Sequence, residues 1–197
     1  MPRWEPDAVG RLQDAAFTLF AERGFDRVTI AEITQRAGLT ERTFFNHFAD
    51  KREVLFGPVS EQQRETVAHE IMRCPGTLAP LDIVVCGLQA AADGVFEARR
   101  DAVIRRRQII DANLELQERE LRKQAMLTDT IAAALRMRGL DSDTALLAAR
   151  AGVVVQQTAM RRWADPVENR PLRELLSDAV RSLRDIAAHP ARKSRMA

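Results

Sequence analysis

The sequence predicts an all-α protein, and three observations lead to that prediction. Good helix formers such as Ala, Leu, Arg and Glu are common in the 197 residues, whereas Tyr is absent and there are only nine Gly and eight Pro. Apolar residues recur three or four positions apart in most segments, which is the spacing of one helix face. The run Val153–Val155 is the nearest candidate for a strand, but it is short and lies inside an Ala-rich segment.

The N-terminal part of the chain predicts four helices, at about residues 8–23, 29–36, 40–47 and 50–73. The fourth begins with Asp50 as its N-cap and is long enough to join two parts of the molecule. Val54 and Leu55 are expected in the core of the N-terminal bundle, and Val67 and Ile71 are expected in the core of the domain that follows.

The rest of the chain predicts five more helices, at about residues 81–99, 101–112, 114–138, 143–163 and 171–187. The last of these has the clearest amphipathic pattern in the sequence. A frayed arm is expected at residues 1–6. The predicted domains are an N-terminal bundle at 1–50, a larger helical domain at 51–188 and a basic, disordered tail at 189–197.

The charge balance gives the chain no strongly basic character. Its formal net charge is +2, and residues 1–56 hold eight Lys or Arg against nine Asp or Glu, so any phosphate affinity must come from a few placed groups. No signal peptide or membrane span is recognisable, which predicts a cytoplasmic protein with no membrane partner. In that reducing compartment Cys86 is expected to be a small buried residue, and Cys74 an idle thiol or a redox sensor.

Residues 29–40 carry the local signals of a helix, a tight turn and a second helix. Thr29 with Glu32 three residues later is typical of a capping box. Gly38 ends the first helix, because glycine takes the left-handed conformation at little steric cost. Thr40 caps the next helix, and Glu41 places an acid at its positive end.

The second of these helices has one apolar edge and one polar face. Leu39, Phe44 and Phe48 form the apolar edge. The opposite face is then expected to hold Glu41, Arg42, Phe45 and Asn46. A short helix of this kind can enter the major groove of DNA with its N-terminal residues at the base edges.

This pattern resembles the DNA-binding domain of TetR-type bacterial transcriptional regulators, over about residues 8–56. The resemblance is carried by Thr29, Ile33, the run Ala37-Gly38-Leu39-Thr40, the run Thr43-Phe44-Phe45-Asn46-His47-Phe48, and Lys51. Two positions depart from it, since the family usually has Ala in place of Thr34 and Tyr in place of Phe45. The resemblance implies a three-helix helix-turn-helix DNA-binding bundle followed by a larger helical ligand-binding and dimerisation domain.

The resemblance also implies contacts with the DNA backbone. Five residues occupy the matching positions, and their hydroxyl, ring N–H and ammonium groups suit phosphate oxygens: Thr29, Thr40, Thr43, His47 and Lys51. Lys51 is the leading candidate, with a solvated lysine as the alternative. Phe45 lacks the phenol that can bond a phosphate in relatives, so one backbone contact fewer is expected.

Glu41, Arg42 and Asn46 are the candidates for contacts with bases. Arg can bond guanine, Asn can bond adenine, and Glu can accept from cytosine. The alternatives are that Glu41 only stabilises the helix start and that Arg42 only touches phosphate. Phe45 is expected against a thymine methyl or a sugar, with core packing as the alternative.

The expected partners are double-stranded operator DNA, a small-molecule effector and a second copy of the chain. The helices at about 143–163 and 171–187 are the predicted dimer surface, since the first carries a row of small residues that lets a partner approach closely. Burial of that row inside the chain's own core is the alternative. The resemblance implies a ligand pocket, for which the candidate lining residues are Gln89, Phe96, Arg105, Gln108 and Trp163. Core packing of both aromatic residues and a solvated Arg105 are the alternatives.

No sequence feature indicates an enzyme. His47, His69 and His189 are scattered, and no catalytic motif, metal-ligand spacing or cofactor fingerprint is present, so no cofactor or metal is expected. The predicted function is that of a repressor that a small-molecule effector releases from a palindromic operator. The alternative is a helical ligand-binding or protein-interaction module whose N-terminal bundle does not bind DNA.

Overall fold

The computed structural model describes residues 7–188, which are helical and contain no strand. The α-helices are α1 Ala8–Arg23, α2 Ile30–Ala37, α3 Glu41–His47, α4 Glu53–Arg73, α5 Pro80–Ala91, α6 Arg100–Asp111, α7 Leu114–Met137, α8 Ser142–Trp163 and α9 Leu172–Ala188. The predicted all-α class is confirmed. The predicted arm at 1–6 and tail at 189–197 lie outside the described residues.

Two irregularities depart from the predicted helices. Instead of running without interruption from Asp50, α4 starts at Glu53 and is kinked at Gly57, whose φ and ψ are −15° and −114°. Pro58 explains the kink, because proline has no N–H and its ring blocks the preceding turn. The second irregularity follows α5, where Ala92–Phe96 forms a π-helical segment in place of a continuous α-helix.

The described residues form two compact units. The first contains residues 7–65 and 99–126, and thus includes α1 to α3, the start of α4, α6 and the first half of α7. One apolar cluster explains this division, because Ile109, Ile110 and Leu116 are buried in the same core as Phe44 and the other apolar residues of α1 to α3. The predicted boundary after residue 50 coincides with the start of the fourth predicted helix and leaves these later residues in the other domain.

The second unit contains residues 66–98 and 127–188. Its helices pack closely at glycines on α5 and α8. A Cβ atom at Gly152 would lie 2.3 Å from Cγ1 of Val84, and one at Gly87 would lie 2.9 Å from the carbonyl oxygen of Val67. Trp163 at the end of α8 is fully buried in this unit. The expected burial of Val67 and Ile71 outside the N-terminal bundle agrees with this core.

The cysteines differ from the sequence-based expectation. Cys74 and Cys86 are joined in a disulfide, so neither is the isolated thiol that was predicted. The sequence neighbours of each cysteine do not indicate the pairing, which arises because α4 and α5 pack side by side. In the described part of the chain, no helix has the length and apolar character needed to cross a membrane.

Candidate nucleic-acid interface

The start of α2 is held by a complete capping box. The hydroxyl oxygen of Thr29 accepts the N–H of Glu32 at 3.2 Å, and the Thr29 N–H donates to the Glu32 carboxylate at 2.8 Å. The Thr29 hydroxyl donates to the same carboxylate at 2.9 Å. These hydrogen bonds, with one from Arg23, lower the pKa of Glu32 to about 2. Both Thr29 donors are therefore engaged by Glu32 before any phosphate arrives.

The turn between α2 and α3 depends on a glycine and an arginine. Gly38 has a φ of +65°, in the left-handed region, and the Leu39 N–H donates back to the Thr34 carbonyl at 2.9 Å. The guanidinium of Arg11 in α1 donates to the carbonyl oxygen of Ala37 at 2.5 Å. A cation at the carbonyl end of α2 is favourable and fixes the turn against α1.

Helix α3 is capped at its start and anchored on one side. The Thr40 hydroxyl oxygen accepts the N–H of Thr43 at 3.1 Å, and the two hydroxyl oxygens lie 2.9 Å apart. Phe44 and Phe48 are 0% and 2% exposed, with their ring centres 5.2 Å apart. The buried ring of Phe44 in α3 and that of Phe48, which directly follows the helix, determine which face of α3 is turned outward.

The outward face of α3 carries the residues predicted for DNA contact. Glu41, Arg42, Asn46 and His47 are exposed, and the Phe45 ring is 54% exposed. Phe45 makes an edge contact with the buried Phe44 ring, at 5.6 Å between ring centres. The structure therefore brings a cation, an amide, a carboxylate and an apolar ring together on one accessible helix face.

Lys51 is placed differently from a solvated lysine. Its ammonium donates to the carbonyl oxygens of Phe25 and Val28, both at 2.9 Å, and lies 4.2 Å from the centre of the Phe25 ring. Burial lowers the pKa of Lys51. Two of the three ammonium N–H groups are thus engaged within the protein, which ties the start of α4 to the segment between α1 and α2.

A second set of charged contacts holds the first turn of α4, and sequence reasoning missed it. The Glu53 carboxylate is 13% exposed, accepts from Lys123 at 3.1 Å and from Arg119 through two guanidinium nitrogens. Arg106 donates to the Leu55 carbonyl oxygen at 2.7 Å and to the Glu120 carboxylate. These contacts join residues far apart in sequence, so no local pattern indicated them.

The candidate ligand-binding residues are divided between the two units. Arg105 and Gln108 are exposed in the first unit, where Arg105 lies 3.8 Å from the Asp14 carboxylate. Phe96 and Trp163 are buried in the second unit, as the core alternative expected. Gln89, also in the second unit, donates to the Ser177 hydroxyl at 3.0 Å. The five residues are not gathered in one unit.

The row of small residues on α8 faces its own chain. Ala145, Ala149 and Ala159 are 0% exposed, and Gly152 lies against Val84 of α5. The prediction that a partner copy packs against this row is therefore wrong, because α5 of the same chain already covers it. The outward side of α8 instead presents Leu147. Among residues 7–188 no group of three or more His, Cys, Asp or Glu side chains is placed to hold a metal ion.

Comparison with known proteins points to one family. The sequence model of the bacterial regulatory proteins of the tetR family matches residues 12–56. An uncharacterised HTH-type transcriptional regulator of Mycobacterium tuberculosis is 25% identical over 107 residues, which cover 48% of this chain and 57% of that protein. The match thus spans little more than half the length of that relative. The HTH-type transcriptional regulator TcmR of Streptomyces glaucescens is 40% identical over 45 residues, covering 23% of this chain and 20% of TcmR.

The fold agrees with the sequence match. The crystal structure of Thermus thermophilus FadR, a TetR family repressor in complex with lauroyl-CoA, superposes with a TM-score of 0.53 and 24% identity, covering 89% of this chain and 92% of FadR. The family match also covers most of α1, all of α2 and α3, and the first turn of α4, which is the segment that carries the capped turn and the outward face of α3. Residues 12–56, which hold the helix-turn-helix, thus match the tetR family of bacterial regulatory proteins, and the fold of the described residues is similar to that of a TetR family repressor.

Proposed function

We propose that this chain is a homodimeric transcriptional repressor that binds a palindromic operator and that a small-molecule effector releases from it. The observation that carries the proposal is the exposed face of α3, where Glu41, Arg42 and Asn46 lie opposite two buried Phe rings. A helix anchored in this way can present its side chains to base edges in the major groove. Because the proposed target is chromosomal DNA, a cytoplasmic location belongs to the same proposal.

The proposed contacts with the DNA backbone come from polar groups on and near α3. Thr40, Thr43 and His47 lie on or beside α3, and each carries a group that suits a phosphate oxygen. Lys51 has one ammonium N–H beyond the two that bond to Phe25 and Val28. Thr29 would contribute only if its donors left Glu32.

The dimer is proposed through the outward side of α8 together with α9. Leu147 and Val154, two helical turns apart on α8, are 71% and 52% exposed, and Ile186 on α9 is 75% exposed. Apolar side chains in such positions can be covered by the same surface of a second copy. One α3 helix spans few base pairs, whereas two copies placed about one DNA turn apart can bind a palindrome.

The effector is proposed to act on α4, which contributes residues to both compact units. Effector binding in the larger helical domain would change the separation of the two α4 helices in the dimer, so that the two α3 helices no longer match successive grooves. A coupling free energy of about 1–3 kcal/mol would change operator affinity about 5- to 150-fold. Binding of lauroyl-CoA by T. thermophilus FadR supports an effector site in this fold without identifying the effector here.

The DNA-binding proposal is tested by selecting fragments from a random DNA pool with the purified protein at low salt. Enrichment of a palindrome is expected, and Arg42→Ala or Asn46→Ala should each weaken binding by about 1–3 kcal/mol and relax specificity at one position. Arg122→Ala is the matched control, since Arg122 on α7 is 67% exposed and paired with Glu118. Recovery of no palindromic fragment would contradict the proposal.

The dimer is tested separately by sedimentation. Wild-type protein is expected to sediment as a dimer, and the double variant Leu147→Glu with Val154→Glu as a monomer. Leu121→Glu, on a 64% exposed residue of α7, is the control and should leave the dimer intact. A wild-type monomer at micromolar concentration would contradict the dimer.

A further inference from the structure

The disulfide joins the C-terminal end of α4 to α5. Cys74 directly follows the last residue of α4, and its N–H still donates to the Glu70 carbonyl oxygen at 3.0 Å. Cys86 lies inside α5, 12 residues further along the chain. These are the chain's two cysteines, so no other pairing is available within one copy.

The two residues differ in their access to solvent. Cys74 is 6% exposed, whereas Cys86 is half-buried. Because Cys86 is the more exposed residue of the two, we take its thiol as the one that a small oxidant in solution reaches first in the reduced protein. Cys74 is the neighbour that can then displace the oxidised group from Cys86.

Apolar packing holds α4 and α5 together independently of the disulfide. Val67 and Ile71 on α4 and Val84 on α5 are fully buried, and a Cβ atom at Gly87 would collide with the Val67 carbonyl oxygen. These contacts do not involve the S–S bond, so we expect the core to persist when that one covalent link is opened. The reduced and oxidised chains are therefore both expected to be folded.

The disulfide can affect DNA binding because it lies at the C-terminal end of α4. Helix α4 supplies Glu53 to the first compact unit and Val67 and Ile71 to the second, so a constraint on its C-terminal end acts on an element shared by both. In a reducing compartment, disulfides in mesophilic proteins are usually transient and catalytic or redox-sensing. We propose that Cys74 and Cys86 form a hydroperoxide-responsive dithiol–disulfide switch that changes operator affinity.

The chemistry balances with a hydroperoxide as the oxidant. The Cys86 thiolate attacks the O–O bond and becomes a sulfenic acid, while the peroxide is reduced to water or an alcohol. The Cys74 thiolate then attacks the Cys86 sulfur, forming the S–S bond and releasing water. One peroxide oxidises the two thiols to the disulfide. Two molecules of reduced glutathione restore both thiols through a mixed disulfide and are released as glutathione disulfide.

The oxidation of the two thiols by peroxide can be tested without any assumption about function. The change in operator affinity, by contrast, rests on the proposed function and location. Reduced protein is treated with hydrogen peroxide or cumene hydroperoxide and then alkylated, and the mass of the intact protein is measured by mass spectrometry. Wild type should lose both alkylatable thiols and regain them with millimolar glutathione. Cys74→Ser should stop at a sulfenic acid on Cys86 that dimedone traps, and Cys86→Ser should keep its Cys74 thiol, with circular dichroism confirming that each variant is folded.

The second measurement compares reduced and oxidised wild type on the selected operator fragment. The two forms should differ in affinity by about 5-fold or more, and Cys86→Ser should show no response to peroxide. A disulfide that millimolar glutathione leaves intact, or equal operator affinity of the two forms, would overturn the switch. If reduced protein retains no DNA, the proposed function fails, while the alkylation experiment still decides whether the thiols respond to peroxide.

Discussion

The ammonium group of Lys51 lies 4.2 Å from the centre of the Phe25 ring and bonds the Phe25 carbonyl oxygen. Lys51 therefore makes structural contacts within the protein, and it is also a candidate for contact with a DNA phosphate. Lys51→Met should lower the free energy of unfolding by about 1.5–3 kcal/mol, because two carbonyl groups lose a charged donor. Urea unfolding measures this change.

The same variant separates the two roles of Lys51. Loss of a phosphate contact would also lower the slope of log affinity against log salt by about one unit, whereas a purely structural role would leave that slope unchanged. Arg52→Met is the control for stability, because the Arg52 guanidinium is exposed and pairs with Glu115 at the surface.

The neighbouring residues Phe44 and Phe45 should behave in opposite ways. Phe44 is 0% exposed, so Phe44→Ala should destabilise the protein by about 3–5 kcal/mol. Phe45 is 54% exposed, so Phe45→Ala should change stability by no more than about 0.5 kcal/mol while weakening operator binding. Thermal unfolding and DNA binding measured on both variants check the pair. Equal destabilisation by the two changes would show that Phe45 is packed in the core.

Gly38 should tolerate substitution poorly. Its φ of +65° is costly for other residues, and a Cβ atom would lie 2.9 Å from the Arg11 guanidinium that holds the turn. Gly38→Ala should destabilise the protein by about 1–2 kcal/mol. Gly94→Ala is the matched control, because a Cβ atom there would have 4 Å of open space among the described residues, and the φ of Gly94 is not positive. Urea midpoints that shift equally in the two variants would contradict this assignment.

Glu53 should be far more sensitive than an exposed glutamate of the same unit. The Glu53 side chain is 13% exposed, and its carboxylate accepts from both Arg119 and Lys123. Glu53→Gln replaces this carboxylate with a neutral amide, so the free energy of unfolding should fall by about 1.5–3 kcal/mol. Glu118→Gln, whose partner Arg122 is 67% exposed, should change stability by less than about 1 kcal/mol. Denaturant unfolding of both variants gives the comparison, and similar losses would mean that the Glu53 contacts are not formed.

Glu32 should make the start of α2 sensitive to acid. Its pKa is about 2 in the folded protein against an ordinary value of 4.5, because the Thr29 N–H and hydroxyl bond the carboxylate. A lowered carboxyl pKa contributes stability above pH 4.5 that is lost as the pH falls toward 2. Carbon NMR of the Glu32 carboxyl group should show the low titration, and Thr29→Val should move the pKa back toward 4.5. An unshifted titration in the wild type would refute the capping box.

The capped turn could be predicted because its causes are local. Thr29 with Glu32, and Gly38 before Thr40, bond to residues within a few positions, so their spacing in the sequence already indicates the geometry. The buried and exposed faces of α3 follow equally from the helical period, which placed Phe44 inside.

The contacts that were missed join residues distant in sequence. Lys51 bonds a carbonyl 23 residues away, and Arg106 bonds one 51 residues away, so only the packed helices bring them together. The small residues of α8 suit a close helix contact, but their sequence cannot distinguish a partner copy from α5. Pro58, by contrast, was a visible signal for the kink in α4.

The discontinuous first unit has a consequence for how the chain is made. Its apolar core requires Ile109, Ile110 and Leu116, yet the ribosome synthesises residues 66–98 of the second unit before these three. Part of the core of the nascent helix-turn-helix therefore stays exposed until α6 and the start of α7 have left the ribosome. A fragment ending at residue 65 lacks part of its own interior, and a chain truncated there should be prone to aggregation rather than act as a minimal DNA-binding protein.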